Sequence, residues 1–442
     1  MKHLITDIRH IFQSALKSVQ PQNLFQHKVW IEGGTLWVEN HSFHLSKYKN
    51  IYVIGFGKAS AYMASALDEL LGDRIKGGAV IVKYRHSVSC RFSDIYEAGH
   101  PVPDENTLNH SKRIIEVARK AGESDLVLCL ISGGGSSLFE ILPRTISLED
   151  LQKMNELLLS SGVEITEMNA LRKHVSEVKG GKLLRKVYPA ACISLIISDI
   201  LHDPPDSIAS GPTAADMTTF RDAQVMLHKY ALERKIPASI LSYVERGVEG
   251  KISETVKEGE PALQNVSNFI IGNIDVAMNA AKQTASQLGY ESMISFALMR
   301  GEASEMGESI VQILRQYSQG REKDRQPLCM IFGGETTVTL GKQSGRGGRN
   351  QELALSALLH MKDFEKDFVL ISAGTDGTDG PTDAAGAIIT RKTLEKAESL
   401  GLDPEQYLRE HNAYPFFEQT GSLIKTGPTG TNVMDLVIAL VK

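Results

Sequence analysis

The stretch IYVIGFGKAS (residues 51–60) decides the fold, because an apolar run leads directly into two glycines, a lysine and a helix start. This arrangement is typical of a buried parallel strand that turns into a helix. It recurs at LVLCLISGGGSS (126–137) and LCMIFGGETT (328–337), and a further glycine-rich turn is GKQSGRGGR (341–349). Bare backbone N–H groups at such turns bind anions, phosphate above all. The pattern predicts an α/β protein that handles polyphosphate.

Further apolar runs alternate with segments of helical period, which predicts a layered α/β fold with largely parallel sheets. The polar stretch VKEGEPAL (256–263) marks a change of composition. We therefore expect two domains, residues 1–258 and 259–442. The predicted strands are 51–54, 78–83, 126–131, 192–198, 268–272, 292–297, 328–332, 368–372 and 433–441.

Composition excludes several classes of protein. The chain of 442 residues has a net charge of −5, so its composition does not indicate the basic surface typical of a protein that binds nucleic acid. No apolar stretch reaches the roughly 20 residues of a transmembrane helix, and the amphipathic N-terminus does not resemble a signal peptide. Three of the four cysteines lie inside apolar runs, which favours buried, reduced thiols. We expect a cytoplasmic protein without a membrane contact.

The turns around Lys58 and Ser132 are candidate ligand sites. Lys58 stands at a helix start beyond a strand, where open α/β sheets bind ligands, although Ser60 replaces the third glycine of a dinucleotide fingerprint. In SGGGSS, glycines allow close backbone approach and serines add hydroxyl donors. The alternative in both places is a plain turn. The candidate residues are Gly57, Lys58, Ser132, Gly133, Gly134, Gly135, Ser136 and Ser137.

Charged residues on both sides of the predicted strand 192–198 are further candidates. Asp199 follows the strand that ends SLIIS, where an acid could accept a hydroxyl proton or hold Mg²⁺; turn chemistry beside two prolines is the alternative. Arg172 and Lys179, in a basic helical stretch, could border an anionic pocket or form a solvated face.

The second half of the chain adds an arginine and three polar residues. Arg349 stands at a helix start, where a guanidinium can clamp a phosphate or carboxylate. Asn350 could cap that helix or bind substrate, and Glu335 could contact a metal or ribose. Asp376, in an Asp-rich loop, could bind a hydroxyl or belong to an Asx turn.

Taken in order, these motifs resemble the class II glycerate 2-kinase family, whose C-terminal portion is called the MOFRL domain. The resemblance spans almost the whole chain. It is carried by GFGKAS (55–60), AGHPVPDENT (98–107), LISGGGSSLFE (130–140), MNALRKHVSEVKGGKL (168–183), ISDILHDPPDSIASGPT (197–213), GGETTVTLGKQSGRGGRNQE (333–352), SAGTDGTDGPTDAAGA (372–387) and TGPTGTNVMDLVI (426–438).

The resemblance implies ATP-dependent phosphorylation of D-glycerate at its carbon-2 hydroxyl, a reaction for which we expect Mg²⁺ as a cofactor. A homodimer is a separate expectation. The resemblance implies a Rossmann-like three-layer α/β/α N-terminal domain, a smaller α/β C-terminal domain and an active site in the interdomain cleft. It also implies that Lys58 and Arg349 form the catalytic pair and that Asp199 is an active-site acid. The metal ligands stay unassigned.

Two other functions compete with a kinase. The first is an NAD(P)H-dependent hydroxypyruvate reductase, against which stands the missing dinucleotide fingerprint. The second is a non-catalytic protein that binds a sugar acid; against it, cations and carboxylates stand together at predicted strand ends.

Overall fold

In the computed structural model, described for residues 2–319, 325–341 and 344–442, the chain divides into two compact units. The central unit is Leu24–Ile271, and the terminal unit joins Met1–Asn23 to Gly272–Lys442. Lys342 and Gln343, part of one predicted turn, lie outside the described residues. No helix of the described ranges is long and apolar enough to span a bilayer.

Nine of the strands coincide with the predicted apolar runs. In chain order the strands are β1 (Val29–Glu32), β2 (Thr35–Val38), β3 (His41–His44), β4 (Ile51–Phe56), β5 (Ile75–Lys83), β6 (Asp94–Ala98), β7 (Leu126–Ile131), β8 (Ala191–Ile197), β9 (Val266–Gly272), β10 (Glu291–Ile294), β11 (Leu328–Gly334), β12 (Phe368–Gly374), β13 (Gly386–Thr390), β14 (Leu423–Ile424) and β15 (Asp435–Val441). Of these, β1, β2, β3, β6, β13 and β14 were not predicted.

Helices fill most of the intervening segments, several of them started by capping boxes such as Ser147 with Asp150. They are α1 (Lys2–Ser18), α2 (Pro21–Lys28), α3 (Ser60–Leu71), α4 (Glu105–Ala118), α5 (Gly135–Leu138), α6 (Leu148–Ser160), α7 (Ile165–His174), α8 (Leu184–Val187), α9 (Phe220–Lys229), α10 (Ala238–Val248), α11 (Ile274–Gln287), α12 (Ala303–Ser318), α13 (Arg349–His360), α14 (Arg391–Ser399), α15 (Pro404–Arg409) and α16 (Ala413–Thr420).

The main sheet of the central unit has the order β6-β5-β4-β7-β8-β9 and is flanked by helices. The pairs β4–β7 and β7–β8 are parallel. Their last residues are in register, Phe56 beside Ile131 and Ile131 beside Ile196. The turns that follow these three strands therefore emerge side by side at one edge, as predicted for a parallel α/β sheet.

A second core of the central unit is helical. Apolar residues of α6, α7, α9 and α10 pack together, with Met154, Leu171, Phe220 and Ile240 almost fully buried. The amphipathic period of these helices explains the cluster, because each carries one apolar stripe. This layer fixes α6 and α7 rigidly.

The sheet of the terminal unit has the order β10-β11-β15-β12-β13-β14 and differs from the prediction of largely parallel sheets. Only β10–β11 is parallel among its strand pairs in the described residues; β15 runs antiparallel to both β11 and β12. A strand buried on both faces is a continuous apolar run in either direction, so the sequence pattern does not encode the direction. The first residue of β15, Asp435, pairs with Gly334 and Gly374, the last residues of β11 and β12.

The two units differ from the predicted domains at both ends. Strand β9 belongs to the central sheet, so the division falls after Ile271 rather than Glu258. Helix α1 packs on α11, β12 and β15 of the terminal unit, with Ile8 and Ile11 fully buried. Tyr290 also donates a hydrogen bond to Asp7 Oδ2 at 2.6 Å.

Candidate functional site

In the central unit, the turns after β4 and β7 are hydrogen-bonded to each other. The backbone N–H of Lys58 donates to Gly133 O at 2.9 Å, and that of Ala59 donates to Ser132 Oγ at 3.0 Å. Ser60 Oγ lies 3.0 Å from the same Ser132 hydroxyl. The fully buried Ser132 side chain thus joins the two turns. The half-buried Lys58 lies two residues before helix α3, and these hydrogen bonds fix the position of its backbone.

Gly57 permits this contact. Its φ is +130°, and a Cβ atom there would lie 2.3 Å from both Ser132 O and Ser132 Oγ. Residues other than glycine rarely adopt such a φ. The added Cβ atom would also clash with the backbone oxygen of Ser132, whose position is fixed.

We therefore expect Gly57→Ala to lower the free energy of unfolding by about 3 kcal/mol or more, measured by urea denaturation. Gly72→Ala is the matched control, since Gly72 has a φ of +55° but open space around its Cβ position. Equal losses for the two variants would show that the close contact with Ser132 contributes nothing beyond backbone strain.

The rest of SGGGSS is equally compact. Gly134, with a φ of +80°, precedes the short helix α5, and a Cβ there would lie 2.7 Å from His100 Nε2. Ser136 Oγ lies 2.9 Å from Ser210 Oγ, and Ser137 Oγ donates to Gly134 O at 3.1 Å. The glycines of this turn serve close packing, and both serine hydroxyls already have protein partners.

Asp199 follows β8 and is half-buried at the same edge of the sheet. Beyond it, the Pro-rich loop holds four non-glycine residues at positive φ: His202, Asp203, Ala209 and Ser210. Such backbone strain is costly and gathers at functional sites. Asp206, in the same loop, accepts a hydrogen bond from Lys173 Nζ at 3.2 Å.

The basic residues that follow α6 differ in their partners: the lysines bind carboxylate or carbonyl oxygens of the protein, and Arg172 binds an amide oxygen. Lys179 is buried and ion-paired to the buried Glu140, whose other oxygen accepts from Ser176 Oγ at 2.5 Å. Lys182 donates to carbonyl groups at the end of α7. Arg172 is half-buried, and its Nε donates to Asn155 Oδ1 at 2.9 Å. The expectation of a solvated face is therefore wrong for Lys179.

Arg172 and Lys179 line a cavity of about 690 Å³ in the central unit. Ser136, Ser137 and Gly134 line it too, so the SGGGSS turn and the basic stretch meet there. Burial lowers the pKa of Arg172, and no carboxylate of the described residues forms an ion pair with it. The Lys179–Glu140 pair is neutral, so the charged groups that remain at the cavity are Arg172 and the exposed Glu156.

His174 fixes the fold rather than lining this cavity. Its ring contacts Ala170 O through Nδ1 at 2.6 Å and Glu254 Oε2 through Nε2 at 2.8 Å. Burial raises the pKa of Glu254, but hydrogen bonds from His174 and the Phe220 backbone N–H outweigh it and hold the pKa at about 2.

A carboxyl group whose pKa is lowered on folding stabilises the protein above its unfolded pKa of 4.5 and loses that effect as pH falls towards 2. Because Glu254 is 36% exposed, we expect Glu254→Gln to cost only about 1 kcal/mol at pH 7. The difference from the wild type should vanish between pH 4.5 and 2 in paired urea titrations. A difference that stays constant with pH would contradict this.

In the terminal unit, Arg349 is the first residue of α13 and is held by two carboxylates. Its Nε and one terminal nitrogen donate to the two oxygens of Asp435 at 2.6 and 2.9 Å, and the other terminal nitrogen lies 2.9 Å from Glu335 Oε1. Burial lowers the pKa of Arg349, but Asp435 and then Glu335 raise it well above its usual value. Arg349 and Glu335, two separate candidates from the sequence, thus meet at the end of β11.

Asn350 is buried and fully engaged. Its side-chain oxygen accepts from Ser372 Oγ at 2.8 Å, and its backbone N–H donates to Asp379 Oδ1 at 3.0 Å. Asp379 also accepts from the backbone N–H of Gln351, so it caps helix α13. Burial raises the pKa of Asp379 to about 6. These bonds orient the helix start that carries Arg349, and the cap is supplied by Asp379 rather than by Asn350.

Asp376 follows β12, and its Oδ1 accepts from both the backbone N–H and the hydroxyl of Thr378 at 2.9 Å. This is the Asx turn that the sequence left open. Across the described ranges, no group of three His, Cys, Asp or Glu side chains is placed to hold a metal ion.

Sequence reasoning missed three acids: Glu140, Asp379 and Asp435. Glu140 and Asp435 interrupt apolar surroundings, in SSLFEIL and VMDLVIALV, and a carboxylate in such a run indicates a buried partner. Asp379 was noted only as a loop acid.

Two family models match this chain. DUF4147, a domain of unknown function, matches residues 7–245, and MOFRL matches residues 328–435. The first includes the turns after β4, β7 and β8, and the second includes Arg349 and Asp435.

Curated relatives cover nearly the whole chain. A glycerate 2-kinase of Pyrococcus horikoshii is 40% identical over 98% of both chains, and a D-glycerate 2-kinase of Thermotoga maritima is 43% identical over 88% of this chain and 90% of its own. A crystal structure of glycerate kinase from Thermotoga maritima superposes with a TM-score of 0.86 at 39% identity, covering 100% of both chains. A protein of Agrobacterium vitis named as a proposed hydroxypyruvate reductase is 39% identical over 88% of this chain and 86% of its own.

Proposed function

This chain belongs to the glycerate kinase family, in which a DUF4147 region precedes a MOFRL domain, and we propose that it transfers the γ-phosphoryl group of ATP to the carbon-2 hydroxyl of D-glycerate. The product is 2-phosphoglycerate. The family resemblance drawn from the motifs is confirmed. The roles of single residues, Mg²⁺ and the position of transfer are proposals.

The observation that carries the proposal is the orientation of Arg349. Two hydrogen bonds that Arg349 donates to Asp435, which is 1% exposed, fix the guanidinium plane, and Asp379 fixes the helix start. Glu335 is 44% exposed, so its ion pair is worth only about 0–1 kcal/mol and a phosphoryl oxygen can replace it. Arg349 would then neutralise charge on the transferring group, which is the main task of a protein in phosphoryl transfer.

Lys58 supplies the second cation. Its backbone is fixed by the bond to Gly133 O, while its half-buried ammonium group lies beyond the carboxyl end of β4. We assign it the same electrostatic role at the nucleotide phosphates. Asp199, at the adjoining strand end, would orient the glycerate hydroxyl and accept its proton.

Mg²⁺ that arrives with ATP supplies charge neutralisation between the phosphates. It needs only one or two protein carboxylates and keeps several waters, so it does not require a cluster of three ligands. Asp199, beyond the end of β8, is a carboxylate that could complete its shell.

The test is incubation of the purified protein with ATP, MgCl₂ and D-glycerate, followed by phosphorus NMR. We expect the 2-phosphoglycerate signal. A 3-phosphoglycerate signal would refute the position of transfer but keep the kinase. No new phosphorus signal would refute the kinase, and oxidation of NADH on hydroxypyruvate would then establish the reductase.

We further propose that the protein acts in the cytoplasm as a homodimer on small-molecule substrates. The net charge of −5 favours small-molecule substrates over a nucleic-acid partner. Sedimentation equilibrium tests the dimer, which a constant monomer mass at micromolar concentration would refute.

A further inference from the structure

The cavity of the central unit is larger than a glycerate molecule requires, and one of its sides is apolar. Its volume of about 690 Å³ lies within the range of about 300–1,000 Å³ for sites that enclose ligands of nucleotide size. Val102 and Leu159, both lining residues, are 58% and 68% exposed. A three-carbon hydroxy acid has no apolar face to cover them, whereas a purine base has two.

A polar edge stands beside these apolar residues. Gln152 and Asn155 lie three residues apart on α6, so they share one face of the helix. Gln152 Nε2 donates to Pro103 O at 2.7 Å, and Asn155 Oδ1 accepts from Arg172 Nε at 2.9 Å. These bonds fix both amides and leave Gln152 Oε1 as an acceptor and Asn155 Nδ2 as a donor.

An acceptor next to a donor complements adenine. Adenine presents its N6 amino group as a donor beside a ring nitrogen that accepts, and Asn or Gln side chains recognise this pair. Guanine presents the O6 acceptor in place of the amino group, so it would meet Gln152 Oε1 acceptor to acceptor.

The charge of the cavity is suited to a nucleotide. Arg172 is not neutralised by any carboxylate of the described residues, and Lys179 is neutralised by Glu140. Glu156 also lines the cavity but is exposed, so water and salt screen its charge, and the half-buried Arg172 is the group that favours an anionic ligand.

We propose that this cavity binds the adenine nucleoside of ATP, with the base against Val102 and Leu159, its edge at Gln152 and Asn155, and the phosphates towards Arg172. The inference rests on the proposed function for the identity of the nucleotide. It assigns the nucleotide to the central unit and sets a preference for ATP over GTP.

Leu159→Trp tests this by filling the apolar side of the cavity. Leu159 is exposed near the end of α6, so the folded state should keep its stability. Val225→Trp is the matched control, because Val225 is 57% exposed on α9 of the same unit and does not line the cavity. Calorimetry with ADP and with GDP, and the KM values of ATP and D-glycerate, are the readouts.

In Leu159→Trp, we expect the Kd of ADP and the KM of ATP to rise at least tenfold, with the KM of D-glycerate within twofold and Val225→Trp like the wild type. Wild-type protein should bind ADP at least tenfold more tightly than GDP. An unchanged Kd of ADP in Leu159→Trp would overturn the proposal, and a raised KM of D-glycerate alone would assign the cavity to the acid. If the wild type binds ADP with this preference over GDP but phosphorylates no acid, the proposed function is refuted, whereas the assignment of the nucleotide to this cavity is retained.

Discussion

Arg349→Ala is expected to lower kcat for glycerate phosphorylation at least about a thousandfold. An arginine that neutralises the transferring phosphoryl group contributes about 10³–10⁵ in rate. Arg349 is fixed for that role by two hydrogen bonds to Asp435. The measurement is ADP release in a coupled assay at saturating ATP and D-glycerate.

The same substitution should also destabilise the fold. Asp435 is 1% exposed and would lose its ion-pair partner. Breaking a buried pair by removing one partner costs about 3–5 kcal/mol. Loss of activity alone would therefore not separate catalysis from folding.

The double variant Arg349→Ala/Asp435→Asn separates the two effects. Removing both charges should restore most of the lost unfolding free energy, while kcat stays at least about a hundredfold below the wild type. If the double variant regains wild-type turnover together with its stability, Arg349 has only a structural role.

Lys58→Ala is expected to lower kcat about 10²–10³-fold, the typical loss for one donor to a developing charge. The bond from the Lys58 backbone N–H to Gly133 O does not involve the side chain and is kept in the variant. Steady-state kinetics and thermal unfolding measure kcat and stability.

Lys49→Ala is the matched control for Lys58→Ala, since Lys49 is exposed just before β4. Turnover of Lys58→Ala within threefold of this control would remove Lys58 from the mechanism. If Lys58 and Arg349 stabilise the same transferring group, the loss in the double alanine variant should be smaller than the product of the single losses.

The sequence predicts strands and turns well where the physical signal is local. The runs before Gly57 and Ser132 are apolar throughout, and buried strands require this. Lys58 and Arg349 could be selected because glycine turns and helix starts are visible in the chain. The contact of Arg349 with Glu335 could not be predicted, since the distance between them depends on how β11 and α13 pack.

Long-range pairs could not be predicted. Lys179 resembles a surface lysine until Glu140 is placed beside it, and Asp435 resembles a defect in a strand until Arg349 is placed opposite. The antiparallel insertion of β15 between β11 and β12 brings Asp435 to the ends of both strands. No local pattern of residues encodes that insertion.

The packing of α1 on the terminal unit has a consequence for biosynthesis. The central unit is one continuous segment, Leu24–Ile271, and can fold as soon as it leaves the ribosome. The terminal unit needs residues 2–23, which precede the central unit in the chain, and β15, which follows it. Helix α1, whose Ile8 and Ile11 are fully buried in the folded protein, therefore meets its packing partners on β12 and β15 only after the whole central unit has been synthesised.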